Sequence, residues 1–336
     1  MTQCPEFEHL LVIPHLRVQN ANAVSGSLTH GFPAMTAFLG LMWALERKTV
    51  ASGLDLRFKA IGVVCHDHQE QITEGDFVHT FHLTRNPVLA RSHINNQDGN
   101  IKKPDAIVEE GRIHLEISLV FALQSETLTN AFDDAETPTR IAADVRGILG
   151  NMRIAGGSVL HSSIAPFRQQ PYIVALTGTP EDRKQCFRQL KYRLLPGFTL
   201  VARDDLLEER HKARQAENPE SSRLDAWLSL SRINCRYTEE SGWKHDRDGW
   251  IVPIPVGYGI LSGPHEAGVV ANTRDGKTPF CFVESLYSIG EWLSPHRIRS
   301  PEQLLWYADH SPEASLYRCR NDFCASSPEQ EDDDSD

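Results

Sequence analysis

LLVIPHLRVQNANAVSGSLTHGFPAMTAFLGLMWALER, residues 10–47, decides how the rest of this 336-residue chain is read. Leu10, Leu11, Val12 and Ile13 form an unbroken apolar run that suits a buried strand. Asn20, Asn22, Ser25, Ser27 and Thr29 then make a polar loop dense in side-chain donors and acceptors. Pro33, with φ already set, opens a helix, and Met35, Phe38, Leu39, Met42 and Leu45 recur at helical spacing behind it. Strand, polar loop and helix in that order leave backbone N–H groups free to meet an anion at the helix N-terminus. An ordinary connection between a strand and a helix has the same order.

Outward from this stretch, short strands and helices interleave. Strands are expected at 56–69, 76–87, 171–178, 198–203, 249–255 and 280–284. GRIHLEISLVFAL (111–123) is the clearest of all: Ile113, Leu115, Ile117, Leu119 and Phe121 face one way, and Arg112, His114, Glu116 and Ser118 the other. Helices are expected at 133–150, 180–195, 204–217, 223–231 and 301–309. Residues 90–105 read as a loop, 237–248 as a polar stretch, and Gly257, Gly259, Gly263 and Gly268 as a flexible bridge. No fixed-period repeat interrupts this order, and the fold class is α+β. The length suits about two domains, or one with a large insertion.

With 40% hydrophobic and 24% charged residues the composition is that of a soluble globular protein. No run of about 18 apolar residues offers a transmembrane helix, so no membrane partner is expected. The N-terminus lacks the basic and apolar regions of a signal peptide. Seven cysteines at scattered spacing read as cytosolic thiols rather than a disulfide framework, which points to a cytoplasmic protein. The net charge of -11 argues against a non-specific nucleic-acid binder. Glu329, Glu331, Asp332, Asp333, Asp334 and Asp336 concentrate much of it in a terminal stretch, 326–336, read as a disordered acidic tail. Residues 183–214, by contrast, carry nine Lys/Arg against four acids. Such a chain meets a polyanion on one face only.

Candidate chemistry is sparse. Cys65-His66-Asp67-His68, His79-x-x-His82 and Cys319-x4-Cys324 are off the spacing of zinc sites, so no metal and no cofactor are expected. No hydrolase, metalloprotease, phosphate-loop or dinucleotide motif is present. Gly156–Gly157 allows either a close backbone approach to a phosphate or a simple turn. On the helix at 180–195, Lys184, Arg188 and Lys191 form a basic row opposite Phe187, Leu190 and Leu194. Acids do not match that row at four-residue spacing.

Several stretches together resemble one family. PHLRVQNANAVSGSLTHGFP, FHLTRNP, AIVEEGRIHLEISL, GNMRIAGGSVL, RLLPGFTLVAR, SRINC, GWIVPIPVGY and VESLYSIGEWLSPHR follow, in order and at similar spacing, the second Csy subunit of type I-F CRISPR surveillance complexes. The match runs over roughly residues 9 to 320.

The resemblance implies a repeat-associated (RAMP) protein with a ferredoxin-like, RRM-like core and an inserted thumb-like region. It implies a single domain over 1–325, with insertions near 86–150 and 204–248. The implied role is non-catalytic: to cap the 5′ handle of the CRISPR RNA in an antiviral ribonucleoprotein. The implied partners are the CRISPR RNA, the large Csy subunit in a heterodimer, the Csy backbone subunit, and the entering target duplex near its PAM.

RNA held in a fixed, non-helical shape needs phosphate contacts for position and amide or stacking contacts for bases. The expected RNA-binding residues are Arg17, Gln19, Asn20, Asn22 and Ser25 in the first stretch, and Arg85–Asn86 at a strand end. Arg153 with Gly156, Gly157 and Ser158, and Lys184, Arg188 and Lys191 on the basic helix, complete them. Two other classes stay open at this point: a RAMP-type endoribonuclease using histidine for acid–base work on precursor RNA, and an adaptor that bridges protein subunits.

Overall fold

The computed structural model describes residues 3–76, 78–81, 83–85, 107–131, 134, 136–160, 166–239, 242–273, 275–311 and 313–324. The chain opens with β1 (His9–Asn22), the small hairpin β2 (Val24–Gly26) and β3 (Thr29–His30), α1 (Met35–Ala51) and β4 (Arg57–Glu70). Four short strands, β5 (Ile72–Glu74), β6 (His79–Phe81), β7 (Leu83–Arg85) and β8 (Ile107–Glu109), lead into β9 (Arg112–Gln124). Then come α2 (Glu126–Asn130), α3 (Glu136–Gly150), β10 (Arg153–Ile154), β11 (Gly157–Leu160) and β12 (Tyr172–Ala175). α4 (Pro180–Arg193), β13 (Phe198–Ala202), α5 (Asp204–Glu217), α6 (Arg223–Ser231) and the ribbon β14 (Cys235–Thr238) with β15 (Gly242–His245) follow. β16 (Ile251–Ile260), β17 (Val283–Leu293), α7 (Pro301–Leu304), β18 (Trp306–Ser311) and β19 (Leu316–Asn321) complete it.

The architecture is mixed α/β around one 11-stranded sheet. β12, β1, β9 and β4 lie side by side and antiparallel, with α1 linking β1 to β4 and α3 between β9 and β12 in the chain. Beyond β4 the sheet continues through β13, β17, β16, β19 and β18. β18 returns to β4 at Trp306 opposite Ile61, closing a ring of pairings. β5–β6 and β7–β8 leave the main sheet as two small ladders between β4 and β9, and β14–β15 stands apart as another.

The apolar run of β1 is explained by burial on both faces. Leu11 and Ile13 enter the core beneath α1 and α3, while Leu10 and Val12 enter a second core beneath α4. β9 divides the same way, with Leu119, Phe121 and Leu123 in the first core and Val120 and Ala122 in the second. α1 contributes Met35, Phe38, Leu39, Leu41, Met42 and Leu45, all buried. At roughly 1.5–3 kcal/mol for each side chain removed from water, that stripe holds the helix on the sheet without a side-chain N-cap, which Ala34 lacks.

Four readings of the sequence are corrected here. Pro33 lies outside α1, because the extended N-cap is Ala34. The stretch 301–309 is a helix only to Leu304. Trp306 and Tyr307 then fall into the first and second cores respectively, which is the alternation of a strand. Gly257 and Gly259 belong to β16, so the bridge expected from 257 begins only after Ile260. Gly257 sits in a bulge of β16 with φ +155, where a Cβ would meet the Tyr317 carbonyl oxygen at 2.0 Å. Of the single strand expected over 76–87, the described residues form β6 and β7, which pair in separate ladders, while Phe77, His82, Asn86 and Pro87 lie outside the described residues.

Candidate nucleic-acid interface

The polar half of β1 is a strand, not a loop. Its ladder with β9 runs to Asn22 opposite Arg112, interrupted by register shifts between Ile13 and Leu16 and between Val18 and Ala21. Each shift holds one residue at positive φ, His15 at 49° and Asn20 at 57°; the extra residue lets the strand bend and re-aim its side chains. Past the first bulge, burial becomes one-sided. Leu16, Val18 and Ala21 stay in the first core, while Arg17, Gln19 and Asn22 are exposed on the other face.

On its opposite edge β1 receives β11, and β11 receives β10. The row Arg153–Ser158–Gln19 therefore crosses three strands in direct register. The next row, about 7 Å along the strands, is Leu160–Arg17–Glu116–Asp67. Arg17, Gln19, Asn20, Arg153 and Ser158 are all exposed. Among the described residues none of the five has a side-chain hydrogen bond or ion pair to the protein. Two cations, two amides and a hydroxyl thus stand free on a rigid sheet face.

The hairpin that carries Arg153 and Ser158 explains the glycine pair. Ala155 and Gly156 form a two-residue loop with φ values of +47° and +81°, the left-handed pair that a tight antiparallel turn requires. Gly157 is different: a Cβ there would lie 2.7 Å from the Ala21 nitrogen and 2.8 Å from the Gln19 carbonyl oxygen. It is glycine because β11 must approach β1 closely.

Asn22 and Ser25 are engaged within the chain. Asn22 Nδ2 donates to the Val24 carbonyl at 2.7 Å and its Oδ1 accepts from the Val24 N–H at 3.2 Å. Ser25 Oγ donates to Thr29 Oγ1 at 3.0 Å. Both shape the β2–β3 hairpin. Arg85 ends β7, with its side chain outside what the structure describes, and Asn86 lies outside the described residues.

The basic helix sits elsewhere. Phe187, Leu190 and Leu194 bury α4 in the second core, under the buried half of β1. Lys191 Nζ donates to the carbonyls of Ile298 at 2.6 Å and His296 at 3.2 Å. Burial, and then Arg188 and Lys184 nearby, hold its ammonium below the usual lysine range. Lys184, Arg188 and Lys191 are therefore not part of the β1–β10–β11 rows.

One constellation escaped the sequence reading. Where α4 stops covering the sheet, the His15 and His66 rings stack at 4.2 Å and 24°. His15 Nδ1 donates to Glu116 Oε1 at 2.8 Å, and its backbone N–H donates to Ser118 Oγ at 3.1 Å. His66 Nδ1 donates to the Pro196 carbonyl and its Nε2 accepts from Ser118 Oγ, each at 2.6 Å. That pattern fixes the neutral tautomer of His66, and burial lowers its pKa. The neighbouring Cys65 points into the first core, where burial pushes its thiol up to about 12.

Among the described residues no helix is long and apolar enough to cross a membrane. The model of the family described as CRISPR-associated protein (Cas_Csy2) matches residues 11–319. The chain is also 42% identical over 325 residues to the CRISPR-associated protein Csy2 of Pseudomonas aeruginosa (strain UCBPP-PA14), covering 93% of this chain and 94% of that protein.

Proposed function

The chain belongs to the Cas_Csy2 family of CRISPR-associated proteins, and from that premise we propose that it is a non-catalytic RNA-binding subunit of a type I-F surveillance complex. In this reading it caps and positions the 5′ handle of the CRISPR RNA. The observation that carries it is the pair of rows on β1, β10 and β11, where Arg17, Gln19, Arg153 and Ser158 stand exposed and unpartnered on paired strands, with Asn20 exposed in the adjoining bulge. Arginines there set phosphate position, and the amides suit base edges and bent backbone. The large Csy subunit, the Csy backbone subunit and the target duplex near its PAM are the partners we assign to other faces. The strand order β12–β1–β9–β4, with a helix in each crossover, supports a ferredoxin-like RAMP core. The ladders leaving it between β4 and β9, and the segment of α5, α6 and β14–β15, support insertions on that core.

The test is salt dependence in the assembled complex. Arg17→Ala and Arg153→Ala should each reduce the slope of log affinity against log salt by about 0.7, the value for one phosphate contact on a single strand. Unchanged slopes in both variants sink the assignment.

One observation favours a second reading. An imidazole held by a carboxylate through one nitrogen, with its other nitrogen uncommitted, is the arrangement a general base needs, and His15 on Glu116 has it. Incubating the purified chain with repeat RNA decides: cleavage that disappears in His15→Ala would replace the binding role with an endoribonuclease.

A further inference from the structure

The two bulges of β1 are built on one plan. Val18 pairs with Leu115 and Ala21 with Ile113, so Gln19 and Asn20 together stand opposite one residue of β9, His114. Between Ile13–Leu119 and Leu16–Ile117, Pro14 and His15 stand opposite Ser118 in the same way. In each bulge the second residue has positive φ and no ladder partner on β9. The side chain of the single opposing residue takes its N–H instead. His15 N–H donates to Ser118 Oγ and Asn20 N–H donates to His114 Nδ1, each at 3.1 Å.

The two acceptors differ in one respect. A serine hydroxyl accepts at any pH, whereas an imidazole nitrogen accepts only while it carries no proton. The bond to Asn20 therefore requires a neutral His114 with its proton on Nε2. In the imidazolium, Nδ1–H would face the Asn20 N–H, donor against donor. The charged groups that share the face are Arg112 and Glu116 on β9, Asp67 on β4 and Arg17 on β1. Glu110 holds Arg112 and His15 holds Glu116. Among the described residues none of these groups bonds the His114 ring. The Asn20 side chain is one methylene and an amide, exposed and unpartnered, so its backbone sets where the amide points.

We propose that His114 is the positioning residue for Asn20 on the RNA face: while neutral it holds the bulge so that the Asn20 amide reads one base, and on protonation it lets that amide go. This deepens the RNA-binding reading above and rests on it. Arg17 and Arg153 do not depend on the bond, so its loss alters base choice and leaves phosphate attraction in place.

The experiment measures Kd of the full-length chain for a repeat-sequence RNA and for its single-base variants, at one fixed salt, over about pH 5 to 8, where imidazoles change charge. Asn20→Ala identifies the base: the affinity ratio between correct and altered base should drop there by about 5- to 150-fold, the range for a bidentate amide–base contact. At the upper end of that pH range His114→Ala should lower the ratio at the same base by about 2- to 10-fold, the worth of one neutral hydrogen bond, with an unchanged salt slope. In the parent the ratio should decline as pH falls. His114→Asn carries an oxygen one bond from Cγ, as Nδ1 is, and that acceptor does not titrate, so it should keep the ratio across the whole range. In the RNA-free chain the Asn20 backbone amide resonance should move with the His114 titration in the parent and stay fixed in His114→Asn. A His114→Ala chain that discriminates like the parent overturns the proposal. So does a decline of equal size in the parent and His114→Asn, which would assign the pH dependence to His15. Salt slopes separate this from the reading beneath it. Unchanged slopes in Arg17→Ala and Arg153→Ala refute the RNA face itself, whereas reduced slopes there with an unaltered ratio in His114→Ala refute the positioning role alone.

Discussion

Gly157→Ala distinguishes two uses of a glycine that look identical in the sequence. If residue 157 were small so that a phosphate could approach the backbone, a methyl group would weaken RNA binding and leave the fold alone. The structure requires the reverse order of events. The new Cβ would stand 2.7 Å from the Ala21 nitrogen, 2.8 Å from the Gln19 carbonyl oxygen and 2.8 Å from Val18 Cγ1, about 0.7 Å short of ordinary contact at 3.4 Å. Two of these atoms are backbone in a strand paired on both edges, so β11 must be the part that moves. Overpacking of this kind costs about 1–3 kcal/mol, out of a total of about 5–15 for a typical domain. A urea titration should show a lower midpoint with an unchanged slope, and amides of Ser158 and Leu160 should lose exchange protection before those of Leu11. RNA affinity should fall in step, because Arg153 and Ser158 travel with the hairpin. Gly156→Ala is the control: nothing lies within 4 Å of its Cβ, so only the cost of its left-handed backbone, about 1 kcal/mol, remains. A Gly157→Ala protein of full stability with impaired RNA binding would refute the packing argument and restore the phosphate.

Three further outcomes are expected. Lys191→Met should destabilise the chain by about 1–3 kcal/mol by removing a charged donor from two carbonyls, seen as a lower urea midpoint, with no change in the salt slope of RNA binding. His66 has a folded pKa below its ordinary 6.5, so it adds nothing above that value. As pH falls through it the unfolded chain takes the proton first, and stability declines until the folded pKa is passed. His66→Gln should flatten that acid limb in urea midpoints measured across it, leaving the part due to His9, whose pKa burial also lowers. Trp306→Phe should cost about 1–3 kcal/mol, because the buried Leu200 carbonyl loses the indole N–H that donates to it at 2.8 Å; an unchanged melting temperature would show that this buried bond contributes little.

The sequence was most legible where one period ran without interference. The alternation from Ile113 to Phe121 marked β9 and its faces, and the stops around α5 and α6 coincide with the elements. It misled where tertiary partners overrode composition. Gln19, Asn20 and Asn22 read as loop because amides are poor strand formers, but β11 pairs Gln19 on one edge, β9 pairs Asn22 on the other, and Asn20 sits in the bulge between them. Most of β17 escaped notice because Ser288 and Glu291, both buried, break its apolar pattern. Their partners, Asp204 and Arg203, are distant in the chain. Of the residues expected at the site, those at β1 and β10–β11 are brought together, whereas the basic row of α4 lies under the opposite core. Helical spacing marks a face and says nothing of where the helix docks. The stacked His15 and His66 had no local signature at all, since a bulge in each of two strands creates the meeting.

β1 is one strand living in two solvents. Its first half is sealed between two cores and its second half is bared on one side, with no loop between them. A binding loop must surrender conformational freedom when its ligand arrives, about 1–2 kcal/mol of backbone entropy for each residue fixed. Arg17, Gln19 and Asn20 have given up that freedom already, at the moment the chain folded. On the reading proposed above, the backbone disorder lost on association is that of the nucleic acid, and on the protein only the free side chains of Arg17, Gln19 and Asn20 have rotamers left to surrender.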